Sequence, residues 1–280
     1  MSIKSYNSLD EAIKNSFGQN VKIETTIRGA RSDINTTDIL NLSNNKKVFL
    51  KSNSYGNSSF FDAEAEGIEA IAKTNTIATP KLYCKGTDKK LNISFLIMEI
   101  IEQGGRSNDA FSELGSSFAK MHLANAEDFV SGGRYGFLHD NYIGATPQIN
   151  SPKDTWIDFY RECRLEPQFR MAGDGVKHIL KNIHKLLDRL DDLLIEPDKP
   201  ALLHGDMWGG NHLFNKEGIP VLIDPAAYVG HSEADLAMTE MFSPFPRAFY
   251  HSYFEVIPCD TGYQDRKAIY NLYHYLNHYN

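Results

Sequence analysis

The sequence predicts an α+β fold in two lobes, with a five-stranded antiparallel sheet and an accompanying helix over residues 1–102 and a mainly helical lobe over 103–280. Three observations point to it. Between Val21 and Met98, β-branched residues alternate with polar ones in short runs separated by turn residues, the pattern of strands. After Gln103-Gly104-Gly105, apolar residues recur instead at helical spacing. Within that helical part lies one strand-loop-strand stretch, Leu202 to Ala226, that sets a His, two Asp and an Asn at fixed intervals. A chain of 280 residues with 41% hydrophobic content has the means to bury the core such a fold requires.

The first element is a short helix announced by Ser8-Leu9-Asp10-Glu11. In this capping box the Ser and Glu side chains satisfy free backbone donors; Gly18 closes the helix. Its apolar face is Leu9, Ile13 and Phe17. Val21 to Lys51 reads as three antiparallel strands, broken at Arg28-Gly29-Ala30-Arg31-Ser32 and at Ser43-Asn44-Asn45. Lys51 ends the third strand, and Phe61 to Ile71 forms a helix carrying Glu64. Thr79-Pro80 breaks the chain before two further strand-like runs, Lys81 to Cys84 and Ile93 to Met98, and Glu99 to Glu102 forms the link to the second lobe. There, Phe111, Leu114, Phe118 and Met121 mark one helical core face, and Val176, Ile179, Leu180, Ile183, Leu187, Leu190 and Leu194 mark another. Between them, Asn141-Tyr-Ile-Gly144, Gln148, Asn150, Trp156, Phe159, Tyr160 and Arg164 form a polar and aromatic segment that leads to where an acceptor should bind.

In Leu202 to Ala226, Asn211 follows Asp206 by five residues and Asp224 follows Asn211 by thirteen. The spacing His204-x-Asp206-x-x-x-x-Asn211 is that of a protein-kinase catalytic loop, in which the Asp takes the proton of the attacking hydroxyl and the Asn holds a magnesium ion. Asp224 stands where that scheme places its second metal ligand. Hard cations held by oxygens offset the charge of a polyphosphate at its reacting end. A surface turn uses Asp and Asn too, but the second, correctly spaced acidic element favours the kinase reading. In the same scheme Lys51 contacts the nucleotide phosphates and Glu64 aims it. A solvated strand-end lysine and a glutamate favoured by the helix dipole are the alternatives for each taken singly. The turn holding Gly29 and Ser32 would lie over the phosphates, although with one glycine a plain hairpin turn explains it as well. Backbone groups of the link, Glu99 and Ile101 among them, would pair with adenine.

Net charge of −7 and a pI near 5.8 argue against a general nucleic-acid binder. Cys84, Cys163 and Cys259 are far apart and odd in number, as expected of free thiols in a reducing compartment. No apolar run is long enough to span a bilayer, and the N-terminus has no signal-like apolar stretch, so the expectation is a cytoplasmic protein with no membrane partner. His231 and Glu233, two apart, lack a third partner for a metal. His274 and His278 lack the glutamate of a zinc-protease motif.

The chain resembles the fructosamine and ketosamine kinase family, within the aminoglycoside-phosphotransferase-like, protein-kinase-related fold, over nearly its whole length. The residues that carry the resemblance are His204-Gly-Asp206-Met-Trp208-Gly-Gly-Asn211, Asp224-Pro-Ala226, Tyr228 to Met238, the Gly144 to Asn150 segment and Leu272 to His278. A Trp two residues after the catalytic Asp, and Asp-Pro-Ala in place of Asp-Phe-Gly, separate the family from protein kinases. The resemblance implies transfer of phosphate from ATP, with Mg2+, to the 3-hydroxyl of a ketosamine, free or protein-linked. Another hydroxyl acceptor (an aminoglycoside, choline or homoserine) and a silent nucleotide-binding fold are the alternatives. Asp206 would be the base, with Asn211 and Asp224 on the metal. His204 is expected to orient the loop, and Asp235 to cap a helix while accepting backbone donors of the catalytic loop. Trp208 would pack against the sugar, or else fill a gap between loop and helix. Three departures stand out: Met207 in place of a usual Leu, a glycine-poor nucleotide loop, and an end at Asn280 that is expected to leave the final helix loosely held.

Overall fold

The computed structural model describes residues 3–31 and 35–280. A two-residue strand β1 (Ser5–Tyr6) leads into α1 (Leu9–Phe17), then β2 (Ile23–Arg31), β3 (Thr36–Leu42) and β4 (Lys47–Ser54), α2 (Ser58–Lys73), β5 (Leu82–Asp88) and β6 (Ile93–Met98). Ser8 caps α1 as the sequence predicts, its hydroxyl accepting from Glu11 N at 3.2 Å, and Gly18 ends it at φ 129°. Among the described residues the sheet has six strands, ordered β1-β5-β6-β4-β3-β2, and β1 pairs parallel with β5. The expected sheet has five antiparallel strands, because a two-residue edge strand is too short to show any alternation.

The sheet buries Leu40, Leu42, Val48, Leu50, Cys84, Phe95 and Ile97 against α1 on one face. On the other it packs Leu96 and Met98 against Phe61 and Ala65 of α2. Further along α2, Ala70 and Ile71 belong to the core of the second lobe. One helix is thus held by both lobes.

The second lobe comprises α3 (Asn108–Leu123), the hairpin β7 (Asn141–Ile143) and β8 (Thr146–Gln148), α4 (Trp156–Tyr160), α5 (Glu166–Ala172), α6 (Leu180–Leu187), α7 (Leu190–Leu193), β9 (Ala201–Leu203), β10 (His212–Phe214), β11 (Pro220–Leu222), β12 (Tyr228–Gly230), α8 (Ser232–Thr239), α9 (Arg247–Val256) and α10 (Tyr263–Tyr279). Its core gathers Phe111, Leu114 and Phe118 of α3 with Trp156, Phe159, Leu202, Leu236, Phe249 and Tyr270. The second helical stripe of the sequence is broken here. Residues 173–179 form a 3-10 turn started by Gly173 at φ 49°, which leaves Ile179 and Leu180 exposed. The final helix is well held rather than loose, since Asn280 Nδ2 donates to Gln168 O at 3.1 Å and to its Oε1 at 2.6 Å.

Residues 99–107 join the lobes and are fastened to the β10–β11 hairpin. Gly104 N donates to Phe214 O at 2.8 Å, Gln103 bridges to Asn215, and Lys216 pairs with Glu102. A side chain at Gly104 would collide with Asn215 O.

Candidate active site

The stretch from Leu202 to Ala226, with the strand that follows it, is built from two strand pairs. Strands β9 and β12 are antiparallel, with Leu203 opposite Tyr228, and the β10–β11 hairpin sets His212 opposite Leu222. Asp206 and Asn211 therefore precede the hairpin and Asp224 follows it. Two crossings lock the loop: Ala226 N donates to His204 O at 2.9 Å, and Ile223 N to Asn211 O at 3.1 Å. Gly205, at φ 80°, leaves no room for a Cβ beside Ala226 O.

Beneath the loop, the buried Asp235 accepts from His204 N at 2.6 Å and from Gly205 N at 2.8 Å, and its Oδ2 lies 3.2 Å from His122 Nε2. The sequence assigns Asp235 a helix-capping role as well. That part is corrected, because α8 is capped by His231, whose Nδ1 accepts from Glu233 N at 3.1 Å. Glu233 itself is paired to Arg266 at 2.6 and 2.7 Å.

The His204 ring is fully buried and joins two segments of the site. Its Nε2 lies 2.9 Å from Ile223 O and its Nδ1 accepts from Asp206 N at 3.3 Å. A carbonyl only accepts, so the proton sits on Nε2. Burial lowers the His204 pKa against the opposing pull of Asp235, which keeps the ring neutral.

Lys51 of β4 and Glu64 of α2 meet at 2.8 Å, and Lys51 Nζ also contacts Asp224 Oδ1. Burial alone would push the lysine down, but the two carboxylates outweigh it and hold the ammonium charged. Burial pushes Glu64 up to about 7, opposed by Lys51. Asp206 is likewise raised to about 7, first by burial, against the hydrogen bond from Asn211 and with the charges of Asp224 and Asp235 adding to the rise. Asn211 Nδ2 donates to both Asp206 O and Asp206 Oδ2 at 2.8 Å, which leaves its amide oxygen as the free acceptor. Asp224 itself adopts φ 55°, a left-handed conformation unusual outside glycine and often retained at functional positions.

Lys51, Glu64, Asp206, Trp208, Asn211 and Asp224 line one cavity of about 340 Å³. Trp208 is 41% exposed and its ring meets Phe242 edge-on at 6.2 Å. Asn35, Phe60, Asn141 and Tyr142 line the same cavity. Sequence reasoning missed Asn35 and Phe60, which sit in no motif.

Other expected contacts fall elsewhere. Gly29 lies within β2, not in a loop above the cavity; the close approach of β3 requires it, since a Cβ would stand 2.6 Å from Thr37 O. Ser32 lies outside the described residues. Glu99 and Ile101 are in the link and do not line this cavity, and Glu99 turns its carboxylate to Lys81 N at 3.1 Å. The polar segment after residue 140 also divides. Asn141, Tyr142 and Gly144 line the cavity, whereas Gln148, Asn150 and Arg164 are buried beneath it as support. Gln148 Nε2 donates to Ala226 O at 3.0 Å and Asn141 Nδ2 to Ala227 O at 2.7 Å. Arg164 reaches Asn150 Oδ1 at 2.9 Å and lies 3.9 Å from the Tyr228 ring centre.

The chain is 43% identical over 239 residues to a chloroplastic protein-ribulosamine 3-kinase of Arabidopsis thaliana, covering 83% of this chain and 70% of that protein. It is 35% identical over 257 residues to the ketosamine-3-kinase of Mus musculus, covering 84% and 82%. A solved structure from Haemophilus somnus assigned as a fructosamine-3-kinase superposes with a TM-score of 0.85 at 30% identity, over 96% of this chain and 88% of that one. A macrolide 2'-phosphotransferase shares the fold at a TM-score of 0.61 and 14% identity, over 96% and 88%. The family model described as fructosamine kinase matches residues 5–280, and the chain belongs to that family.

Proposed function

We propose that the protein transfers the γ-phosphoryl group of ATP to the 3-hydroxyl of a ketosamine, the adduct left when a reducing sugar glycates an amine. The observation that carries this is the placement of Asp206, fixed by Asn211, in the same cavity as the Lys51–Glu64–Asp224 cluster. Asp206 accepts the hydroxyl proton as the oxygen attacks the γ-phosphorus, and the bond to ADP breaks. Lys51 supplies fixed positive charge and Glu64 aims it. The exposed ring of Trp208 offers the sugar a face beside the base.

The residues present fit a magnesium ion. The free amide oxygen of Asn211 and the carboxylate of Asp224 are hard donors in one cavity, and two protein oxygens leave the remaining positions to phosphate and water, as Mg2+ prefers. Such an ion, when bound, neutralises phosphate charge. The division at residue 102, with nucleotide contacts before it and acceptor contacts after it, belongs to this reading.

Phosphate on C3 sits next to the ketone carbon. Once a proton leaves C1 and the C1–C2 enaminol forms, its electron pair expels phosphate, and water hydrolyses the resulting imine to free the amine. The role is therefore deglycation, of a small-molecule or protein-linked adduct. The three cysteines are free thiols, which supports a reducing, cytoplasmic setting. No described helix is long and apolar enough to cross a membrane.

The test incubates the protein with Mg-ATP and a panel of fructosamines, ribulosamines, aminoglycosides and choline, and locates the transferred phosphate by phosphorus NMR. A 3-phosphate on a ketosamine is expected. Turnover of another acceptor with no transfer to any ketosamine overturns the assignment.

A further inference from the structure

We infer that the β7–β8 hairpin is a strap that sets the first turns of α2, and that Tyr142 is a positioning residue acting on the reaction through Phe60 and Glu64. The inference rests on the kinase reading above, because it concerns how the Lys51–Glu64 pair is held.

The hairpin touches α2 at its N-terminal end. The Tyr142 ring stacks on Phe60 at 4.0 Å with 18° between planes, and its hydroxyl lies 3.0 Å from Ser59 Oγ. Phe60 and Glu64 are four residues apart, hence one above the other on the same helix face, and both line the cavity. A push on Phe60 is thus delivered to Glu64. About two turns on, His139 Nδ1 meets Glu66 Oε1 at 2.8 Å, an exposed contact of small weight.

The hairpin can hold α2 because it is itself fixed from below. Asn141 and Gln148 donate to the carbonyls of Ala227 and Ala226, the residues that follow Asp224 and Pro225. Gln148 and Asn150 both donate to Asn141 Oδ1, at 2.8 and 2.9 Å, and Tyr273 of α10 donates to Gln148 Oε1 at 2.7 Å. All three amides are buried and paired, which anchors the base of the hairpin. It joins the segment carrying Asp224 to the helix carrying Glu64, and Lys51 sits between those two carboxylates.

The other contacts of the first turns of α2 are to the sheet, among them the half-exposed ion pair of Asp62 with Lys85 at 2.5 Å. Ala70 and Ile71 seat the far half of the helix in the second lobe's core, and Gly67 allows Pro225 within 3.0 Å of where a Cβ would stand. Both lie beyond Glu64 along the helix. On the near side of Glu64, Phe61 packs on the sheet, while the Phe60–Tyr142 stack ties the same turn to the second lobe.

The experiment is a double-mutant cycle between Tyr142→Ala and Glu64→Gln, read by nucleotide affinity and by steady-state rates against ATP and against acceptor. Tyr142→Ala is expected to weaken nucleotide binding and lower kcat/KM for ATP by about three- to tenfold, the weight of one aromatic pair. In the Glu64→Gln background the same substitution changes little, because the pair it positions is already lost. Tyr142→Phe keeps the stack and restores most of the loss. Equal losses in both backgrounds, or a rise in acceptor KM alone, overturn the inference and make Tyr142 a direct ligand contact. Nucleotide affinity by calorimetry needs no acceptor, so the cycle still separates these outcomes if the ketosamine assignment fails.

Discussion

Asp206 and His204 divide the work of one loop between them. The neutral imidazole of His204 bonds main-chain groups on both sides of the hairpin, and its proton faces a carbonyl, so in the proposed mechanism the base is Asp206. Asp206→Asn is expected to lower kcat by about 10²- to 10⁴-fold, the range of a general base, while nucleotide affinity measured by calorimetry stays within about threefold. A near-normal kcat would remove Asp206 from the role. Burial raises the Asp206 carboxyl from 3.8 to about 7, and the proposed mechanism uses the carboxylate. kcat/KM should therefore climb as pH rises through about 7 and level off above it, an arm that initial rates at fixed ionic strength would show.

The elements around that loop are unequally legible. The kinase-like spacing of His204, Asp206, Asn211 and Asp224 is local, and its hairpin is announced by turn residues, so sequence alone locates it. Lys51 and Glu64 are found by chain order, since a strand and the helix after it must pack together. Helix α8 is harder. Its cap is a histidine, outside the usual Ser, Thr, Asp and Asn, and so sequence assigns Asp235 capping work it does not do. Asn35 and Phe60 reach the cavity only through tertiary packing and carry no pattern. The support from α8 is testable. Asp235→Ala leaves the amides of His204 and Gly205 buried and unpaired, and is expected to cost about 2–5 kcal/mol in urea unfolding. A loss below about 1 kcal/mol would mean that the loop finds other partners.

At the scale of the molecule, the two-lobe plan follows from a change of hydrophobic period near residue 102, and the helical lobe from its spaced apolar residues. What periodicity does not show is how tightly the lobes are joined, because that depends on contacts distant in sequence. Helix α2 shares side chains with both cores, and the hairpin amides reach from α10 to the segment that follows Asp224.

The fastening of residues 102–104 to the β10–β11 hairpin has a consequence for how the protein meets its ligands. Gly104 N on Phe214 O, the bridge from Gln103 to Asn215 and the Phe60–Tyr142 stack are contacts that a swing of the lobes would have to break. The expectation is that ligand capture resembles a key entering a fixed lock rather than a jaw shutting, in contrast to kinases that close by hinge motion. Small-angle scattering should give the same radius of gyration, within about 0.5 Å of some 19 Å for a chain of this length, with and without a non-hydrolysable ATP analogue. Gly104→Ala, which forces the link off Asn215, should release that constraint and let the radius respond to nucleotide.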